Sequence, residues 1–265
     1  MKISLITACY NAGKTIGDTL ASVLRQIGSD IEYLIMDGGS TDSTIAQIQA
    51  FVANAAPQNP RLVVHYQSGR DKGMYDALNK GIARATGDVV GILNADDVLA
   101  APDTIASIAA AFTDETDVVY ADIRFVRAVN GRTIRYCSAK RFRPWMFRFA
   151  VMIPHPSFYC RRALFAKYGN YSLDYRICAD FELVMRYLWK HHLRTRYLPQ
   201  CVVDMRIGGA STAGIRSVIE INREDLRALR ANGYWSSFAL IYLKYFFKIW
   251  GFLQFTASGR CVAPE

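Results

Sequence analysis

Two carboxylates stand side by side at Asp96-Asp97, just after the apolar run Val89-Val90-Gly91-Ile92-Leu93 and the dipeptide Asn94-Ala95. A short apolar run opened by the turn signal Gly87-Asp88 suits a strand buried on both faces. In open α/β sheets ligands lie outside the carboxyl ends of strands, which is where this pair falls. Adjacent acids repel each other unless a cation sits beside them. A hard divalent ion, Mg2+ or Mn2+, takes one or two carboxylates and fills its shell with water and phosphate oxygens. The chemistry that fits is a metal-held nucleotide diphosphate, the ion acting as a Lewis acid toward a departing diphosphate. An isolated Asp-Asp ahead of Pro102 is as readily a pair of turn or capping acids. Position is what favours the chemical reading.

That position depends on the elements before it. Lys2 to Ala8 reads as a strand, followed by the loop Cys9-Tyr10-Asn11-Ala12-Gly13 and a helix with Ile16, Leu20, Val23, Leu24 and Ile27 on one face. Ile31 to Met36 is a second strand, stopped by Asp37-Gly38-Gly39-Ser40-Thr41-Asp42. Thr41 or Asp42 caps the next helix, whose face is Ile45, Ile48 and Val52. A loop from Pro57 to Pro60 leads to a third strand, Leu62 to Tyr66. After Arg70-Asp71-Lys72-Gly73 comes a helix with Tyr75, Leu78, Ile82 and Ala85 on one side. Strands and helices alternating in this way mean parallel strands and right-handed crossovers. Asn11, Asp37, Asp71 and Asp96-Asp97 all follow strands, so one sheet edge should gather them.

The second half is less periodic. A helix near Pro102 to Phe112, a strand from Asp117 to Phe125, a helix starting near Asp180 and a polar helix from Ile215 to Ala231 are expected. Arg132 to Arg148 holds six basic residues and no acid, a solvated face or a receiver of acidic headgroups or a lipid diphosphate. Tyr234 to Phe255 is rich in aromatics, with Lys244 and Lys248 one turn apart on a polar strip with Ser237 and Gly251. Such a helix either lies in a membrane interface or packs on its own domain; the two lysines oppose a true span.

The 265 residues, 51% hydrophobic, can bury a full core, and 21% charged residues argue against disorder. A net charge of +9 favours anionic partners. No recognition-helix or RNA-binding motif accompanies it, so nucleic acid is not expected as a partner. Six scattered cysteines without a Cys-x-x-Cys pair suit reduced thiols in a cytosolic compartment. Met1-Lys2 leads straight into the first strand, so no signal peptide is expected. No G-x-G-x-x-G follows that strand, which counts against a dinucleotide-binding dehydrogenase.

In this order, Ile6-Thr7-Ala8-Cys9-Tyr10-Asn11, Asp37 to Asp42, Asp71 to Ile82, Asn94-Ala95-Asp96-Asp97 and Gly208-Gly209-Ala210-Ser211 resemble the family 2 glycosyltransferases. These are inverting enzymes of GT-A fold, similar to those that build bacterial surface polysaccharides. The resemblance spans residues 2 to about 211. It implies a mostly parallel Rossmann-like α/β sheet flanked by helices. Residues 1–100 would form a nucleotide-sugar half and 101–212 an acceptor and catalytic half. A helical tail, 213–265, would meet the membrane or pack on the domain.

The resemblance also implies roles. Thr7, Ala8 and Tyr10 line the base pocket and Asp37 bonds the nucleobase. Asp71 lies near base or ribose beside Arg70 or Lys72, and Asp96, with Ala95, meets ribose or phosphate. Asp97 ligates Mg2+ or Mn2+, although the adjacent pair, in place of a spaced Asp-x-Asp, lets either acid reach the ion. Asp180, in Cys178-Ala179-Asp180-Phe181-Glu182, is the general base, with Glu182 its backup; Ala179 replaces the family's Glu, and the same Asp could simply cap its helix. His155 matches a position near acceptor or diphosphate, where a lone histidine is often structural. The expected activity moves a sugar, from a UDP-sugar, to a glycan or lipid-linked hydroxyl at the cytoplasmic face of the inner membrane. The alternative is a nucleotide-sugar-binding protein without catalysis.

Overall fold

The computed structural model describes residues 1–127, 131–206 and 215–245. The first apolar runs become strands β1 (Lys2–Cys9), β2 (Asp30–Asp37), β3 (Leu62–Ser68) and β4 (Val89–Ile92). Helices α1 (Ile16–Leu24), α2 (Thr44–Gln58) and α3 (Met74–Arg84) connect them. The strands pair in parallel in the order β3-β2-β1-β4. Cys9 lies opposite Asp37 and Asp37 opposite Ser68, and the Leu93 N–H donates to the Ile6 carbonyl. The carboxyl ends therefore share one edge, as the alternation requires.

Several element ends differ from expectation. Helix α1 stops at Leu24, and Ile27 is exposed because the chain turns at Gly28 (φ +78°). Helix α2 runs through Pro57 to Gln58, into the expected loop. In the last turn a missing N–H removes a single helical bond, and the Asn59 N–H still closes on Ala55. Its buried side is Thr44, Ile48 and Ala55, with Phe51 edge-on to Tyr33, while Val52 faces solvent.

The second half supplies β5 (Val98–Leu99), α4 (Thr104–Ala111), β6 (Val118–Val126), β7 (Thr133–Cys137), β8 (Tyr159–Arg161) and α5 (Arg162–Tyr168). Helix α6 (Ala179–Met185) continues as a π-turn over Arg186–Lys190, and β9 (Thr195–Arg206) and α7 (Ile215–Ala231) follow. The sheet reads β3-β2-β1-β4-β8-β6-β9-β5, with β7 beside β6. Strand β8 is antiparallel to both its neighbours, so the sheet is mixed beyond β4. Gly91 explains the insertion: a Cβ there would lie 2.1 Å from the Tyr159 ring that packs over it. Because β4 pairs with β8 and β5 with β9, residues 1–100 and 101–212 share one continuous sheet.

Apolar layers cover both faces, one built with α1, α2 and α4, the other with α3, α5, α6 and α7. After a turn at Gly233, helical residues 238–245 pack back on α7. Gly208-Gly209-Ala210-Ser211 and residues 246–255 of the aromatic stretch lie outside the described residues.

Candidate active site

At the shared edge the loops after β1 and β2 are bound together. The Gly38 N–H donates to the Cys9 carbonyl, the Asn11 N–H to Ser40 Oγ, the Thr41 N–H to Asn11 Oδ1 and the Gly13 N–H to Asp42 Oδ2. Asp42 also accepts from the Thr44 N–H, while the N-cap of α2 is Ser43, one residue beyond the expected Thr41 or Asp42. Asp37 sits beneath these loops, nearly inaccessible. Its Oδ2 accepts from the Gly39 and Ser40 N–H groups at 3.0 Å and from Ser68 Oγ at 2.5 Å; its Oδ1 accepts from Ser40 Oγ. Burial would raise its pKa, but these bonds win and hold the carboxyl below its ordinary value. Asp37 is thus an ionised organiser of the cradle, its oxygens already occupied by the chain's own donors.

Other expected base-pocket residues divide. Thr7 is buried, and its hydroxyl bonds the Leu93 carbonyl and Tyr33, tying β1 to β4; it does not line a pocket. At the carboxyl end of β1, Ala8 is half-buried and Tyr10 beyond it is 65% exposed. A cleft on the same edge is lined by Asp37, Gln67, Arg70, Asp71 and Lys80. Asp71 accepts from the Gly73 N–H at 2.9 Å and lies against Gly38, where a Cβ would fall 2.7 Å from its Oδ2. Glycine at 38 keeps that approach open. Lys72 is exposed, its N–H donating to Asp76. Ser40 and Ser68 have no assigned role in the sequence; the register of Asp37 against Ser68 is the signal that brings Ser68 to Asp37.

The two acids after β4 differ in surroundings. Asp97 is 1% exposed; its Oδ2 accepts from Asn94 at 2.8 Å, and its carbonyl accepts from Thr19 Oγ1. Burial first, then the charge of Asp96, push the Asp97 carboxyl up to about 7, against the pull of Asn94 and Arg206. Asp96 and Ala95 are half-buried, and the Asp96 carboxylate accepts no hydrogen bond among the described residues.

Asp180 opens α6, and Tyr75 Oη donates to it at 3.2 Å and to the Ile177 carbonyl. Tyr75 is the second residue of α3, immediately after the Asp71 loop, so this contact brings the Asp180 segment to the same edge. Burial and the charge of Asp180 raise the Tyr75 pKa, keeping it a donor. Tyr75 stacks on Tyr171, whose hydroxyl pairs with His155 Nε2 at 2.7 Å. Burial lowers the His155 pKa despite Asp180, so the imidazole is neutral and sits in the layer behind Asp180. Glu182 is otherwise engaged. It is buried in a two-pronged pair with Arg186 (2.9 and 3.0 Å) and accepts from Asn232, which corrects its assignment as backup base or acceptor contact. A residue that sequence reasoning missed fixes the segment ahead of Asp180: Glu224 of α7 accepts from the Arg176, Ile177 and Cys178 N–H groups, each at 2.9 Å.

Residues 4–169 match the sequence pattern of Glycosyl transferase family 2. The chain belongs to that family. A PGL/p-HBAD biosynthesis glycosyltransferase of Mycobacterium bovis is 34% identical to this glycosyltransferase over 211 residues, 78% of each chain. Another glycosyltransferase, from Mycobacterium tuberculosis, is 31% identical over 189 residues, 69% of this chain and 68% of that one. Among solved structures, S. aureus TarS 1–349 in complex with UDP superposes with TM-score 0.62 at 19% identity, covering 88% of this chain and 65% of that one. The mannosyltransferase PcManGT from Pyrobaculum calidifontis, in complex with GDP-Man and Mn2+, gives 0.61 at 18%, covering 86% and 63%. These likenesses show the fold, a GT-A type α/β enzyme.

The enzyme's donor set fits a divalent ion of a particular kind. Among the described residues no group of three or more His, Cys, Asp and Glu could enclose a metal. One unpaired carboxylate, Asp96, next to a second that burial and repulsion keep partly protonated suits an ion completed by substrate phosphates.

Proposed function

We propose that the enzyme moves a sugar from a UDP-sugar, with inversion, to a hydroxyl of a glycan or lipid-linked acceptor in cell-surface polysaccharide synthesis. The observation that supports this most is the Tyr75–Asp180 contact, which joins the acid on α6 to the loop edge holding Asp71 and Asp96. The nucleoside lies against Ala8, Tyr10, Gly38 and Asp71, with Arg70, Lys72 and Lys80 supplying positive charge. Asp96 would be the direct ligand of Mg2+ or Mn2+ and buried Asp97 the anchor that fixes the loop, reversing the roles expected from the sequence. When bound, the ion neutralises the diphosphate.

Asp180 takes the acceptor hydroxyl's proton as that oxygen attacks the anomeric carbon from the face opposite the diphosphate. The new C–O bond forms as the bond to the β-phosphate oxygen breaks, and the charge leaves with the nucleotide. Tyr75 orients the carboxylate, and neutral His155 supports Tyr75 through Tyr171. TarS in complex with UDP and UDP-GlcNAc, and PcManGT in complex with GDP-Man, share the fold and hold donors of the nucleotide-sugar class proposed here. No helix among the described residues is long and apolar enough to cross a membrane. We place the enzyme peripherally on the cytoplasmic face of the inner membrane.

Asp180→Asn tests the assignment. Donor affinity should be unchanged while transfer falls by ~10²–10⁴, the usual worth of a positioned base. Full transfer by the variant would remove Asp180 from the chemistry.

A further inference from the structure

Two stretches far apart in sequence meet on one surface. The basic run ends in a 3₁₀ turn over Pro144–Phe149, and the aromatic stretch begins at Tyr234. Ser236 Oγ donates to the Arg148 carbonyl at 2.6 Å and Tyr234 Oη to the Trp145 carbonyl at 3.2 Å, while the Arg148 guanidinium lies 5.9 Å from the centre of the Tyr234 ring. The buried ring of Tyr234 and the hydroxyl of Ser236 pin the segments together. What remains outside is Trp145 (58% exposed) and Trp235 (71%), with Phe238, Tyr242 and Leu243 beyond them.

Helical residues 238–245 are turned opposite to a helix in water. Lys244 faces inward, 5% exposed, in a 2.7 Å ion pair with Asp225 of α7, and Ile241 is fully buried beside it. The exposed positions are Phe238, Ala239, Tyr242 and Leu243. A helix that buries its cation and shows its aromatic side to the outside needs an apolar cover. Around this patch the exposed charges are positive: Lys140, Arg141, Arg143, Arg148 and Arg230. No acid occurs between positions 138 and 153, nor between 226 and 245.

We infer that the 3₁₀ turn at Trp145 and the segment 234–245 form one interfacial surface that docks on the headgroup layer of an anionic lipid bilayer. The tryptophans and Phe238 enter the headgroup–acyl boundary, where amphipathic rings are favoured, and the arginines around them meet lipid phosphates. The surface lies one side-chain layer from the proposed base: Phe147, in the same 3₁₀ turn, packs edge-on against Phe181, 5.9 Å between ring centres. For the acceptor this rests on the proposed function, since a lipid-linked hydroxyl would arrive at the depth of Asp180.

Sedimentation of the full chain with vesicles of phosphatidylcholine, alone or mixed with phosphatidylglycerol, tests the surface. Binding should require phosphatidylglycerol, weaken with salt, and blue-shift tryptophan emission. Trp145→Ala with Trp235→Ala should lower binding to the phosphatidylglycerol-containing vesicles at least tenfold; Arg143→Glu with Arg148→Glu should lower it by a similar factor and flatten its salt dependence. These side chains are exposed, and unchanged stabilisation by UDP with Mn2+ in vesicle-free solution verifies folding. Vesicle binding kept while UDP binding is absent in wild type upholds the surface and contradicts the donor site. No vesicle binding, equal binding by the variants, or a dimer that the tryptophan variants dissociate would overturn the inference.

Discussion

Side by side in sequence, Asp96 and Asp97 occupy different physical environments, and that difference assigns them different work. Asp97 is held from below by Asn94 and Thr19, and its carboxyl is raised to about 7 by burial and by its neighbour. A group so placed fixes a loop better than it exchanges ligands. Asp96 has no competing donor among the described residues. Asp96→Ala should therefore weaken Mn2+-dependent UDP affinity by at least about tenfold, the scale of losing support at a metal site. Asp97→Asn, nearly isosteric, should cost thermal stability more than affinity. Calorimetry and melting curves on both variants check this, and a larger affinity loss at Asp97 would restore the assignment read from the sequence. The same logic separates Asp180 from Glu182. Two residues apart on α6, one meets Tyr75 at the sheet edge and the other is locked to Arg186.

Elements decide which of these contacts exist. The parallel half was legible because its strands are apolar runs broken by Asp- and Gly-rich turns, and α7 was legible from its periodicity over Ile215–Ala231. The three-residue β8 and two-residue β5 carry too few residues for any period, and Gly91 shows its purpose only when Tyr159 is seen across from it. The Tyr75–Asp180 and Tyr171–His155 contacts are tertiary, and no spacing announces them. Glu224 is similar: an acid on a polar helix reads as solvated, yet it fastens the segment ahead of Asp180.

Glu32 is a second acid of this kind, joining β1, β2 and the turn before β4. It is buried, which would raise its pKa, but Ser4 Oγ, the Thr86 N–H and hydroxyl, and Lys2 bring it down to about 2. A carboxylate depressed on folding stabilises above its unfolded value, near 4.5, and loses that contribution as pH falls toward 2. The full contribution is on the order of 3 kcal/mol, falling to under roughly half by pH 3. Urea unfolding of wild type and Glu32→Gln should show a gap at pH 6 that narrows at pH 3. A constant gap would mean Glu32 titrates normally.

At the scale of the whole molecule, one mixed sheet serves two substrates. Its parallel half ends in the loop cradle around Asp37, Asp71 and Asp96, and its irregular half, braced by α7, carries Asp180 to that cradle. The proposed membrane surface adjoins the irregular half through Phe147 and Phe181. The proposed reaction is a single displacement, in which Asp180, oriented by Tyr75, takes the acceptor's proton. The direct test is the anomeric configuration of the transferred sugar, read by proton NMR with whichever nucleotide-sugar raises the melting temperature in Mn2+. Inversion relative to the donor is the result expected; a product that keeps the donor's configuration would contradict the account.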